Sequence, residues 1–262
     1  MLDLRRFSPG MVDEVVIIHD GIKEKDQRLL GSILPSRFIR YEFPIRNDRV
    51  LKAEVIKYFS KMVFTKYECL RLLSDYRNVM WLDYDMVLAG DISELFSACD
   101  TGIKMMPGGA PVRQQLRNDV AEYDMKAEGI CSCVFVLQDN LKDYMNLYRF
   151  CYQALEQYAE QLYLGDQAIF DFMIQKFDLK VVPIERDVYS VHPSDTENTS
   201  AAKILHAYGQ PKFWSGLHNE QWVTNYKTWL QMGGSKQKKL TAVAGRFIRR
   251  SKSLLRQVLS AH

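Results

Sequence analysis

Along this chain, apolar positions occur first in short continuous runs and then at helical spacing, and the two patterns take turns. Val15-Val16-Ile17-Ile18 is a β-branched run that predicts a strand. His19-Asp20-Gly21 closes it, and the polar stretch from Lys23 to Leu30 predicts the helix of a β-to-α step. Residues 36–43 alternate as a second strand before Pro44, and residues 48–73 carry helical periodicity with no Pro or Gly. Asn78-Val79-Met80-Trp81-Leu82 predicts a short buried strand that runs into Asp83-Tyr84-Asp85.

Further on, Asp91 is placed to cap a helix, with Glu94 in the capping-box position. A strand is expected over residues 102–106, ending in a turn at Pro107-Gly108-Gly109, followed by an irregular polar stretch to about Gly129. Ser132 to Leu137 predicts another buried strand, with helices over 141–159 and 166–177 and a short strand at Val181-Val182. Strands that alternate with helices imply an α/β domain with a mixed, largely parallel sheet flanked by helices, whose ligands gather beyond the carboxyl ends of the strands.

Composition changes this picture at one place. From Lys236 to the end there are 8 basic residues and no acidic one, so the net charge of +3 combines a basic tail with an acidic body. Gly233-Gly234-Ser235 reads as a hinge, which divides the chain into a domain over 1–235 and a tail over 236–262. Leu240, Val243, Phe247, Ile248, Leu254, Leu255, Val258 and Leu259 lie among the cations, a pattern that predicts an amphipathic helix on an anionic membrane surface. No base-stacking aromatics accompany those cations, so nucleic acid is not the expected partner. The 5 cysteines are odd in number and lie in apolar or helical stretches. Reduced thiols and a cytoplasmic location, with peripheral attachment to the inner face of the membrane, are the expectation. Cys131 and Cys133 are expected to pack in a strand rather than to perform chemistry.

The candidate chemistry starts at Asp83 and Asp85. In extended backbone both side chains leave the same side, and two close carboxylates favour a hard divalent cation between them. Solvated loop carboxylates are the bland alternative, against which the position after a buried strand weighs. In the segment Leu205 to Trp214, His206 offers an imidazole to a metal, Gly209 allows close backbone approach, and Lys212 offers a point charge to a phosphate. Taken singly, His206 would be an ordinary core histidine and Lys212 a solvated cation.

Together the segments WLDYDMVLAGDISELF, GICSCVFVL, LGDQAIFD and ILHAYGQPKFW resemble the ordered motifs of glycosyltransferase family 8 over residues 14–214. That resemblance implies a GT-A-type fold and retaining transfer of a hexose from a UDP-sugar to a glycan, lipopolysaccharide-type or other lipid-linked saccharide acceptor. It implies Asp83, Asp85 and His206 as ligands of Mn²⁺, with Mg²⁺ as the substitute, and Gly209 and Lys212 as diphosphate contacts. Asp166 would orient donor hydroxyls. Gln167 would face the anomeric carbon as a positioning or charge-stabilising group, and Lys66 stands where the family has an arginine near the donor.

The sequence also departs from the family. It opens at the family's second β-α unit, which implies that the first, uracil-binding unit is missing, through either a misplaced start or a natural short form. Cys131-Ser132-Cys133 replaces an Asn-x-Gly whose amide contacts the donor sugar, and no acidic sugar-binding residue is recognisable between Thr101 and Gly109. These departures motivate a second reading, a catalytically silent fold that binds a glycan or a partner. A metal-dependent phosphohydrolase ranks below both, because no base for an activated water is recognisable.

Overall fold

The computed structural model describes residues 1–237, so from residue 238 onward the expected basic tail lies outside the described residues. In chain order the elements begin with α1 (Leu2–Phe7), β1 (Val15–His19), α2 (Glu24–Ile33), β2 (Ser36–Arg40), α3 (Asp48–Lys52), α4 (Glu54–Phe59) and α5 (Glu68–Leu72). They continue with β3 (Asn78–Leu82), β4 (Met86–Leu88), β5 (Ile103–Pro111), β6 (Glu128–Gln138), α6 (Tyr144–Tyr158) and α7 (Gln167–Lys176). The last are β7 (Val182–Pro183), α8 (Arg186–Tyr189), β8 (Ile204–His206) and α9 (Glu220–Gln231). No helix among the described residues is long and apolar enough to cross a membrane.

The sheets are mixed, as expected, but they are not largely parallel. β1 pairs parallel with β2, and β7 parallel with β5. β6 lies between β3 and β5 and runs antiparallel to both, and β4 runs antiparallel to β8. The physical reason lies in the connections: a parallel neighbour needs a crossover, usually a helix, whereas β5 returns to β6 through a 3₁₀ turn and loop. Alternating strand and helix signals do not reveal that return.

Three local expectations also change. The helical stretch 48–73 is broken at Ala53, whose backbone is extended, and at Ser60, whose φ is 65°. Ser60 Oγ then accepts the Met62 N–H, starting a 3₁₀ segment over Lys61–Tyr67. At Asp91 the predicted capping box is absent. Asp91 accepts from Ser93 N–H at 3.0 Å and from the Ser8 hydroxyl at 2.8 Å, while Glu94 turns to Tyr189 and Lys203, and the segment is a short 3₁₀ turn. At Pro107-Gly108-Gly109 the chain does not turn; β5 continues with shifts in its register against β6. Gly108 permits this, because a Cβ there would lie 2.6 Å from the Gly129 carbonyl oxygen.

Both faces of the β3-β6-β5 sheet are covered, which accounts for the near-continuous burial of β6 from Ser132 to Gln138. The larger core packs Phe64, Tyr67 and Leu70 with Phe135, Phe170 and Phe172. α6 contributes Leu147, Cys151, Leu155 and Tyr158 at three- and four-residue spacing. On the other face Leu88, Ile92, Met106, Val134, Val136, Ile184 and Ile204 form a second core. The candidate site stands at the end of β3, beside the paired strands β4 and β8.

Candidate active site

β3 ends at Leu82, and the Asp83 N–H donates to the Cys133 carbonyl at 3.1 Å, which extends the pairing with β6 by one step. The chain then turns at Tyr84 and enters β4. β4 is laid against β8 with Met86 opposite His206, and the Ala207 N–H donates to the Asp85 carbonyl at 3.0 Å. This short ladder brings Asp85 and His206, far apart in sequence, side by side. One ligand atom each from Asp83, Asp85 and His206 lies within 4.8 Å of the others. His206 Nε2 is 3.3 Å from Asp85 Oδ1, and its Nδ1 is 2.9 Å from Ser190 Oγ.

Each acid is also met by an ammonium. Lys66 Nζ is 3.1 Å from Asp83 Oδ1, 3.6 Å from Asp166 Oδ2 and 3.1 Å from Ser132 Oγ, and Ser132 Oγ donates to Asp166. Lys212 Nζ pairs with Asp85 Oδ2 and donates to the Ala207 carbonyl at 2.8 Å. Burial pushes Asp85 up, but the hydrogen bond and charge of His206, with Lys212, outweigh it and hold the carboxyl at about 2. Asp166 behaves differently. Its burial outweighs Lys66 and Ser132, and its carboxyl lies above the usual value. Lys66, although buried, is raised by Asp166 and Asp83 and stays charged at neutral pH.

The sequence-predicted residues therefore fall into two linked groups: Asp85, His206 and Lys212, and Lys66, Asp83 and Asp166. Gln167 opens α7 beside Asp166 and is half-buried. Gly209 is exposed with φ of 71°, a conformation that favours glycine. Three contributors are not recognisable from the motifs. Trp81, read from its strand as a core residue, donates its indole N–H to Asp83 Oδ1 at 2.7 Å. Ser190 fixes the back of the His206 ring, and nothing in the local sequence signals it. Ser132 could have been found by strand alternation, since Cys131 and Cys133 on one face put it on the other.

A metal ion suits these donors chemically: two carboxylates and an imidazole are ligands for Mn²⁺ or Mg²⁺. With Nδ1 engaged by Ser190, Nε2 is the nitrogen left to face Asp85, the arrangement that orients a ligating histidine. Neighbouring ligands of an octahedral ion lie about 3 Å apart and opposite ones about 4 Å, so only a small closure is required.

Residues 6–218 match the family described as Glycosyl transferase family 8. The chain belongs to glycosyl transferase family 8. This family 8 chain is a glycosyltransferase, and its fold is of the GT-A type shared with solved structures. It is similar to the galactosyltransferase LgtC, solved with donor and acceptor sugar analogues, at 14% identity and a TM-score of 0.56, covering 93% of this chain and 92% of that one. The bifunctional glycosyltransferase WbbM matches at 14% identity and a TM-score of 0.55, covering 76% of this chain and 40% of that one. GlyE of Streptococcus pneumoniae matches at 14% and 0.52, covering 87% and 59%. At such identities the likeness establishes fold alone. No curated protein matches the sequence.

Proposed function

We propose that this glycosyltransferase moves a hexose from a UDP-sugar to a glycan or lipid-linked, lipopolysaccharide-type saccharide with retention at the anomeric carbon, using Mn²⁺ held by Asp83, Asp85 and His206. One observation carries the reading: in a family 8 chain, two acids and an imidazole meet with a lysine on the same acid. Bound there, the cation would supply Lewis-acid neutralisation of the diphosphate leaving group. The chain's own residues do the rest. Lys212, whose flexible stem brings its ammonium beside Asp85, turns that charge to the phosphates. Gly209 leaves the backbone open for their approach. Asp166, held by Lys66 and Ser132, orients sugar hydroxyls. Gln167 stands beside the reacting carbon as a positioning group, and Lys66 adds positive charge at the donor. The basic residues of 236–262 fit an acceptor presented at the cytoplasmic face of an anionic membrane.

A second reading keeps the fold and removes the chemistry. It is favoured by the ammonium groups already seated on both acids and by Cys131 in place of a donor-contacting amide. Calorimetry of UDP binding with and without Mn²⁺ separates the two. Binding that tightens at least about tenfold with Mn²⁺, worth about 1.4 kcal/mol, supports the transferase. Metal-independent or absent binding supports the silent fold.

A further inference from the structure

Behind the acids, on the opposite face of β6 from Ser132, lies a group of sulfur atoms that the transfer reaction does not use. Cys131 and Cys133 lie where β6 shifts register against β5, between the Met105–Phe135 and Met106–Cys131 pairs, and their side chains converge. Met106 on β5 is the cross-strand partner of Cys131. Cys131 Sγ and Cys133 Sγ are 3.2 Å apart, and Cys133 Sγ is 3.8 Å from Met106 Sδ. Met106 is fully enclosed and Cys133 nearly so, whereas Cys131 is half-buried and gives the group an opening.

Two fates compete for such a thiol pair. A direct disulfide needs Cα atoms about 5.5–6 Å apart for easy geometry. In regular extended backbone, residues two apart are spaced at about 6.6–6.8 Å, beyond that separation and at the upper limit of what a disulfide spans. A bridging ion has no such requirement. With metal–sulfur bonds of about 2.3 Å, sulfurs in a trigonal plane lie about 4 Å apart. The Cys133–Met106 distance meets this already, and the thiol pair has to open by less than about 1 Å. Two thiolates and a thioether are soft donors, which select monovalent copper and disfavour Mn²⁺ or Mg²⁺.

The geometry points to a soft-cation site for Cu(I) formed by Cys131, Cys133 and Met106, distinct from the hard-cation ligands Asp83, Asp85 and His206. Binding forms sulfur–copper bonds and releases the two thiol protons to solvent, with no change of oxidation state. The site stands one hydroxyl away from the imidazole. Cys133 Sγ is 3.5 Å from Ser190 Oγ, which in turn holds His206 Nδ1.

The test titrates the reduced full-length protein anaerobically with Cu(I), supplied as its acetonitrile complex in competition with the chromophoric chelator bicinchoninate. One equivalent should be withdrawn from the chelator by the wild type and by Asp85→Asn. Cys131→Ser should abolish this uptake, and Met106→Leu should weaken it by about tenfold. Because Cys133→Ser alters an enclosed position, the half-buried Cys131→Ser decides, with its circular dichroism spectrum as the check on folding. Full uptake by Cys131→Ser would overturn the site, since the copper would then be held by Cys69, Cys99 or Cys151. So would an intramolecular Cys131–Cys133 disulfide formed on treatment with diamide by a protein that takes up no copper. UDP binding with Mn²⁺ is measured separately, so failure here leaves the transferase reading untouched.

Discussion

Replacing Asp171 by Asn should stabilise the protein, and the gain should depend on pH. Asp171 lies in the middle of α7 with 3% of its surface exposed. Its Oδ1 accepts the Ile130 N–H at 3.0 Å, while among the described residues the buried Oδ2 has no hydrogen-bond partner. Burial is the main cause that pushes the carboxyl from 3.8 up to about 8, against the opposing pull of its hydrogen bonds. The folded state thus holds the proton more tightly than the unfolded chain does. The side chain is least costly below pH 3.8, and stability falls as pH rises through that value toward 8. By pH 7 the loss is about 4 kcal/mol, at about 1.4 kcal/mol per pH unit. Asparagine keeps the shape, and its amide oxygen can still accept the Ile130 N–H without burying a charge. Urea denaturation at pH 5 and pH 7 measures the effect. The advantage of Asp171→Asn should grow by about 3 kcal/mol between them. An advantage that is the same at both pH values would refute the reasoning, because it would mean that the carboxyl titrates as if in water.

The other predictions concern the site. Lys66→Met leaves Asp83 and Asp166 facing each other without their shared cation and should cost about 3–5 kcal/mol in thermal or urea unfolding, with Lys66→Arg recovering part of it. Asp85→Asn and His206→Ala should abolish the tightening of UDP binding by Mn²⁺, while the Asp85 change costs the metal-free protein about 2 kcal/mol above pH 4, a contribution that wild type loses as pH falls from 3.8 through about 2. Trp81→Phe removes the N–H that Asp83 accepts and should weaken Mn²⁺ binding in calorimetry, with a stability loss of about 1–3 kcal/mol. Truncation after Gln237 should reduce sedimentation with anionic vesicles and leave UDP binding unchanged; equal sedimentation would remove the tail from the membrane proposal.

Much of this architecture is legible in the residues because the signals are local. The β-branched run at 15–18, the apolar strand before Asp83 and the periodic stretch of α6 fall where the pattern places them, within a few residues. Less visible are features set by distant contacts. β4 and β8 have three residues each, too short for periodicity, and they form because each supplies the other's hydrogen bonds. α1 and α9 are also absent from the pattern-based reading. Asp3 accepts from both Gln221 and Asn225, contacts that no local signal announces. In the site, the acids and His206 are readable as motifs, but their ammonium partners and Ser190 depend on tertiary placement. Trp81 misleads for a related reason: in an apolar run an indole looks like filling, and its N–H shows its use only beside Asp83.

The pairing of Met86 with His206 has a consequence for how such a chain can vary. Side chains on a strand change sides at every residue, so a slip of one position between β4 and β8 would turn the imidazole away from the acids. Removing a single residue from Met86–Leu88 or Ile204–His206 should therefore be more damaging than lengthening an exposed loop between them. Exposed loops in the intervening chain can lengthen or diverge, provided these six residues keep their alignment and Ser132, Asp166 and Ser190 keep their contacts.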